Sequence, residues 1–139
     1  MRPALALALA LSALLAAPAC DTCGPPERCF YPTLLLLVHD ADTGDPLPAA
    51  TVTQAGVPLE DLTSFSCASG QCTHAVSPAT GPVTVSLPGY QDAFVNFVQR
   101  SNTCGAPIRQ SADIGMRALS NPSAAPVVTG PRDRGSGCN

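Results

Sequence analysis

Apolar and polar residues follow the patterns of short β-strands from residue 33 onward, and no helical period extends far enough to predict a helix. The segment GPVTVSL at 81–87 is the clearest example. It places Val83, Val85 and Leu87 on one face and hydroxyl side chains on the other, which predicts a half-buried strand. Turn residues recur about every 10 residues. We therefore predict strands in five segments: 33–40, 50–55, 81–87, 91–100 and 106–118.

The fourth of these segments has apolar residues on both of its faces. One face would carry Ala93, Val95 and Phe97, and the other would carry Phe94 and Val98. The period is therefore ambiguous, which leaves open a strand that is covered on both sides.

Residues 64–76, SFSCASGQCTHAV, have the pattern of a β-hairpin. A turn at residues 68–71 would bring Cys67 and Cys72 to opposite positions on the two strands. The hairpin supplies two further strands, so the total is six to seven.

These patterns predict an all-β fold, a single β-sandwich over residues 33–118. Residues 119–139 are rich in Pro, Ser, Ala and Gly and lack a periodic apolar face. We expect them to form a loosely ordered, disordered tail. Residues 20–32 form an N-terminal linker that contains cysteines.

The first nineteen residues have the features of an export signal. Arg2 is followed by an Ala/Leu run and then by the small-residue sequence Ala17-Pro18-Ala19. A membrane-spanning helix needs about 20 apolar residues. Pro18 and the polar residues from Asp21 stop this run short, so a signal peptide at 1–19 is the better interpretation.

Charge argues against nucleic acid as a partner. All ten acidic residues and six of the seven arginines lie beyond residue 19, so the exported chain carries a net charge of −4. The chain has no lysine, and its arginines are scattered, with only a local pair in the tail. Phosphate binding needs clustered basic residues.

Seven cysteines in so short an exported chain indicate an oxidising compartment, but an odd number cannot all pair within one molecule. Cys20 directly follows the signal, and this junction resembles a bacterial lipobox, in which a diacylglyceryl group is attached to the cysteine that becomes the new N-terminus. The lipobox prefers Leu where Ala17 stands. Lipidation of Cys20 would leave an even set of six. Cleavage after Ala19 without lipidation is the alternative, because Ala-x-Ala is also an ordinary cleavage site.

The remaining six cysteines are the disulfide candidates: Cys23, Cys29, Cys67, Cys72, Cys104 and Cys138. Local geometry favours Cys67–Cys72 across the hairpin. For the other four cysteines two arrangements remain possible. One is Cys23–Cys29 together with Cys104–Cys138, and the other contains a bond between Cys29 and Cys104. Each disulfide could contribute about 2–4 kcal/mol.

Two stretches resemble the landmarks of carboxypeptidase regulatory-like domains. Residues 37–53, LVHDADTGDPLPAATVT, are similar to the first landmark, Asp-x-x-Thr-Gly-x-Pro-Leu-Pro between two strands. TVSLPGYQDAFVNF at 84–97 is similar to the second, Pro-Gly-Tyr between two strands. The resemblance covers about residues 34–116. It implies a Greek-key, transthyretin-like β-sandwich that is a non-catalytic module, with no catalytic residues to carry over.

The residues give little support to a calcium, iron or zinc site. DADTGD at 40–45 begins like a calcium loop, but an EF-hand closes with Glu at its twelfth position, where Thr51 stands, so a turn is the better interpretation. Two Tyr and two His also occur in dioxygenase iron sites, but His39 and His74 lie far apart in this chain. Cys72 with His74 lacks the second ligand pair of a zinc site. We predict no catalytic residue, no metal and no cofactor.

The sequence thus predicts a lipid-anchored protein of a bacterial cell envelope, at the outer membrane or cell surface, which carries a non-catalytic binding or structural module. Its partners would be the membrane, through lipid on Cys20, and an unknown envelope or extracellular protein or glycan. The alternative is a secreted, unanchored binding protein stabilised by disulfides.

Overall fold

The computed structural model describes residues 33–60, 66–68, 71–103 and 105–136. Within these ranges the fold is all-β, as predicted, and consists of two sheets. The strands are β1 (Leu34–Asp40), β2 (Thr51–Gln54), β3 (Val57–Pro58), β4 (Ser66–Ala68), β5 (Gln71–Val76), β6 (Gly81–Ser86), β7 (Ala93–Phe97), β8 (Ile108–Met116) and β9 (Val127–Ser136). No helix long and apolar enough to span a membrane occurs among the described residues.

The five-stranded sheet has the order β4-β5-β1-β8-β9, and the four-stranded sheet has the order β3-β2-β6-β7. β1 lies at the centre of the larger sheet, where it pairs antiparallel with β5 and parallel with β8. The other pairs in both sheets are antiparallel. The parallel pair brings together two strands that stand about seventy residues apart in the sequence.

The core lies between the two sheets. It is made of alternate side chains from each strand, because successive residues of a strand point to opposite faces. The larger sheet contributes Leu34, Leu36, Val38, Ile114 and Met116, and the smaller sheet contributes Val52, Val83, Val85, Val95 and Phe97, all of them buried. The alternation read at 81–87 is confirmed for Val83 and Val85.

Strand β7 is covered on one face only. Ala93, Val95 and Phe97 are buried, whereas Phe94 and Val98 are 63% and 46% exposed. Only one face of β7 meets the other sheet, so the interpretation with both faces covered is wrong.

The tail contains a strand where we expected loose order. β9 pairs antiparallel with β8 along most of its length, for example Ile114 with Val128. As an edge strand, β9 needs only backbone hydrogen bonds with one neighbour, and most of its side chains are exposed. The sandwich therefore continues past residue 118 as far as Ser136, and residues 1–32 and 137–139 lie outside the described ranges.

The described ranges contain nine strands instead of the expected six to seven. The additions are β9 and the two-residue β3, which forms a tight hairpin with β2. Ala55 and Gly56 connect these two strands, both with positive φ (50° and 77°), which is the conformation of a type I′ turn.

Candidate functional site

The loop that follows β1 is a turn held by its own side chains. The Asp40 carboxylate oxygen Oδ1 accepts hydrogen bonds from the backbone N–H groups of Asp42 (2.8 Å) and Thr43 (3.0 Å). The hydroxyl of Thr43 donates to Asp45 Oδ2 at 2.8 Å. Residues 41–43 form the turn that the sequence predicts, and these internal bonds hold it.

The two sequence landmarks meet in space. The hydroxyl of Tyr90, in the Pro-Gly-Tyr stretch, donates to Asp40 Oδ2 at 2.9 Å across a separation of fifty residues. Backbone bonds from Gln91 N–H to the carbonyl of Arg117 (2.8 Å) and from Leu119 N–H to that of Gly89 (2.9 Å) hold the same corner. The Arg117 guanidinium also pairs with the Asp42 carboxylate. This corner joins β1, β7 and the end of β8, and its groups are used for structure.

The hydrogen bond to the Asp40 carboxylate raises the pKa of Tyr90 above its ordinary value of 10.0. Partial burial and the negative charges of Asp40 and Asp45 raise this pKa further. A folded-state pKa above the unfolded value means that the bond stabilises the protein fully below pH 10. That contribution is lost as the pH rises through the higher folded-state pKa.

This environment predicts the tyrosine titration of the protein. The chain has two tyrosines and no tryptophan, so phenolate absorbance reports on few groups. We expect one tyrosine to ionise above pH 10, and we expect that step to vanish in Tyr90→Phe. In Asp40→Asn it should move down toward the ordinary value, because the charged acceptor is gone. A titration that Asp40→Asn leaves unchanged would contradict the assignment.

A second polar cluster lies on the face of the larger sheet that points away from the core. We call it the outer cleft, and it comprises Leu37, His39, Ser111, Asp113, Thr129, Arg132 and Arg134. Leu37 and Asp113 line both of its cavities. The first cavity, of about 290 Å³, also reaches Pro46 and Gln71, and the second, of about 350 Å³, lies over β8 and β9.

Strand register explains why these side chains meet. Leu36 and Val38 point into the core, so Leu37 and His39 of β1 point outward. In the parallel pair Leu37 stands beside Asp113.

On the other side of β8, Ser111 stands opposite Arg132, and Asp113 stands opposite Thr129. The cleft is therefore assembled from β1, β8 and β9, which become neighbours only in the folded sheet.

Charges of both signs line the cleft. His39 Nδ1 lies 3.4 Å from Asp113 Oδ1. Arg134 Nε donates a hydrogen bond to the Ser111 hydroxyl at 2.7 Å, which holds this guanidinium along the cleft. With His39 neutral, the two arginines and Asp113 give the cleft a net charge of +1, whereas the whole chain has a charge of −3.

Gly115 leaves room for the imidazole of His39. A Cβ at this buried position would stand 3.3 Å from His39 Nε2 and 3.1 Å from Ala41 Cβ. Glycine at this position therefore leaves space for the His39 side chain beside Asp113.

The disulfide predicted across the hairpin is present. Cys67 and Cys72 are paired in register and joined by a bond, with their Cα atoms 4.2 Å apart. Five cysteines lie outside the described residues: the predicted lipid site Cys20, and Cys23, Cys29, Cys104 and Cys138.

The two histidines point to opposite faces of the larger sheet. His74 is opposite the core residue Leu36 and is 5% exposed, whereas His39 faces outward. They cannot share a metal in this arrangement. Among the described residues no group of three His, Cys, Asp or Glu side chains is close enough to hold one.

Sequence reasoning did not find the outer cleft. The composition of residues 119–139 predicts a loose tail in which Arg132 and Arg134 are only a local pair, although their spacing of two is that of one face of a strand. That spacing was the available signal, but nothing in the tail's apolar content indicated a strand.

No protein-family profile and no curated protein sequence matches this chain. Among solved structures it is similar to a Bacteroides fragilis protein of unknown function that is described as membrane-associated. The two are 18% identical, with a TM-score of 0.36, over 62% of this chain. This chain spans 28% of the length of that protein. A likeness of this size assigns neither fold nor function.

Proposed function

We propose that the protein is a lipid-anchored component of a bacterial cell envelope whose β-sandwich is a non-catalytic binding or structural module. The observation that carries the proposal is the disulfide between Cys67 and Cys72. Disulfides persist in oxidising compartments outside the cytoplasm, which agrees with the export signal at residues 1–19.

Cysteine parity supports the anchor. With Cys67 and Cys72 paired, five cysteines remain, so one of them cannot form a bond within the molecule. Cys20 is the one that directly follows the signal peptide. Three acyl chains at this position, two on the glyceryl group and one on the amine, would hold the protein firmly, because a single chain gives only marginal binding and each buried CH₂ adds about 0.8 kcal/mol.

A non-catalytic role is supported by how the polar groups are used. The resemblance to carboxypeptidase regulatory-like domains depends on two landmarks, and the Tyr90–Asp40 hydrogen bond joins them. Asp40, Asp42 and Asp45 are engaged in that corner. The outer cleft remains as the concave polar surface at which an envelope or extracellular partner, protein or glycan, would bind.

The second candidate is a secreted protein with the same sandwich and no anchor. The sequence Ala17-Pro18-Ala19 favours it, since Ala-x-Ala precedes ordinary signal cleavage. Cys20 would then be free or bonded to another chain.

Detergent phase partitioning distinguishes the two candidates. After expression in a bacterial host, we expect the wild-type protein in the detergent phase and Cys20→Ala in the aqueous phase. The matched control is the double variant Cys67→Ala, Cys72→Ala, which removes two other cysteines and should stay with the detergent. Recovery of the wild-type protein from the aqueous phase would contradict the lipid anchor and support the secreted, unanchored protein.

A further inference from the structure

We propose that the outer cleft binds an acidic saccharide, with the carboxylate of a uronic acid at Arg132 and Arg134 and sugar hydroxyls at Asp113, Ser111 and Thr129. This inference rests on the proposed function and deepens it, because it names the site and the ligand class of the binding module. Nothing in the tyrosine corner or the core takes part.

The two arginines provide the anion-binding end. Arg132 and Arg134 are exposed, and both line the cavity of about 350 Å³. Arg134 is oriented by the bond from its Nε to the Ser111 hydroxyl, and among the described residues none accepts a hydrogen bond from its terminal N–H groups, which can therefore meet a ligand. A guanidinium binds a carboxylate through two parallel N–H···O bonds, so a carboxylate fits this end of the cleft.

The net charge of the cleft favours a ligand that carries a single negative charge. Asp113 lies at the junction of both cavities, and with His39 neutral the four titratable side chains sum to +1. A uronic acid brings one charge, whereas phosphate brings nearly two close to the Asp113 carboxylate. Asp113 also accepts hydrogen bonds from hydroxyl groups, which a sugar supplies in number.

The position of the cleft favours a saccharide over a peptide. Its floor is the face of β1, β8 and β9, where β1 pairs continuously with β8, and β9 pairs with β8 on either side of a bulge between Ser111 and Asp113. An extended peptide gains much of its affinity by pairing its main chain with a free strand edge. A ligand on this face, away from the strand edge, meets hydroxyl, carboxylate, guanidinium and imidazole groups beside the apolar Leu37.

The space is sufficient for one or two sugar rings. Each cavity, of about 290 and 350 Å³, is at the lower end of the usual range for small-molecule sites, about 300–1,000 Å³. Because the two cavities share Leu37 and Asp113, a ligand can extend from the arginines toward His39.

Isothermal titration calorimetry at low ionic strength tests the proposal on the full exported protein in detergent micelles. The probes are methyl glucuronide, which is one sugar ring with one carboxylate, its neutral counterpart methyl glucoside, and inorganic phosphate. We expect methyl glucuronide to bind at least about tenfold more tightly than either of the other two, because only it matches both the single charge and the hydroxyl groups.

Single variants locate the site. Arg132→Gln and Arg134→Gln should each raise the Kd for methyl glucuronide by about tenfold or more, because each removes one guanidinium group. The control is the double variant Arg100→Gln, Asp133→Asn, which removes an exposed arginine outside the cleft together with the carboxylate that it pairs with, and should change the Kd less than about twofold. Arg132 donates no hydrogen bond to another described side chain, so its variant should fold normally; thermal unfolding of each variant checks this.

Asp113→Asn tests the selectivity. It removes the central negative charge, so phosphate should bind more tightly than it binds to the wild-type protein. In the wild-type protein, equal binding of methyl glucoside and methyl glucuronide, tighter binding of phosphate than of methyl glucuronide, or no binding of any probe would each overturn the proposal. Unchanged affinity for methyl glucuronide in both arginine variants would overturn it as well. Detergent partitioning of the same preparation reports on the anchor separately, so a failed ligand and a failed anchor give different results.

Discussion

Replacement of Phe97 by alanine should lower the free energy of unfolding by about 3–5 kcal/mol. Phe97 is 0% exposed and is the largest of the fully buried side chains in the described core. It lies at the end of β7, where it packs between the two sheets with Leu34, Val83 and Val95. The smaller side chain loses the transfer free energy of the ring and leaves a cavity that its β-branched neighbours can fill only in part.

Phe94 is the matched control on the same strand. It differs from Phe97 in facing away from the core, where it is 63% exposed. Phe94→Ala should therefore cost less than about 1 kcal/mol, the range of strand propensity at an exposed site. Urea unfolding of both variants, with the m-value checked against the wild-type protein, measures the two costs. Similar costs would mean that β7 is covered on both faces.

Substitution of Gly130 by alanine is the second large effect, and we expect it to cost about 2–4 kcal/mol. The φ of Gly130 is +108°, a backbone conformation that side chains with a Cβ rarely adopt. A Cβ there would also stand 2.9 Å from the carbonyl oxygen of Ser111 and 3.2 Å from Ala112 Cα on β8. The substitution therefore combines backbone strain with a contact that would push β9 away from its neighbour.

Gly135, also in β9, separates the two causes. Its φ of +88° is positive as well, but a Cβ would meet nothing within 4 Å. Gly135→Ala should cost only the backbone term, about 1–2 kcal/mol. The difference between the two variants in urea unfolding isolates the contact with β8. Equal costs would show that the added methyl group at Gly130 makes no costly contact with β8, and would contradict this account.

The strands with regular alternation were predictable because each buries one face in the core and exposes the other, which gives alternating apolar and polar residues. Val83 and Val85 are buried as their pattern required, and the paired cysteines marked the β4–β5 hairpin. The core side of β7 could not be chosen from the sequence. Phe94 and Phe97 have the same apolar character, and only the position of the other sheet decides between them.

Strands β3 and β9 were missed for different physical reasons. β3 follows a turn of Ala55 and Gly56, and alanine at a φ of 50° is not among the residues that usually predict a type I′ turn. β9 is held by its backbone pairing with β8, and its exposed side chains carry no apolar period. Edge strands of this kind are stabilised by a neighbour that the sequence does not reveal.

The outer cleft was beyond sequence reasoning because it depends on the parallel pairing of β1 with β8. That pairing sets Leu37 beside Asp113, and β9 then adds its arginines from the far end of the chain. The tyrosine corner was closer to prediction. Asp40 and Tyr90 both lie in the landmarks that carry the family resemblance, but the hydrogen bond between them became visible only in the folded chain.

The chemical state of Cys20 tests the anchored-protein account most directly. Mass spectrometry of the N-terminal peptide, prepared from the exported protein without reduction, measures it. The account predicts a chain that begins at Cys20 and carries a thioether-linked diacylglyceryl group and an acyl group on its amine. A chain that begins with an unmodified Cys20, or a Cys20 bonded to another cysteine, would contradict it.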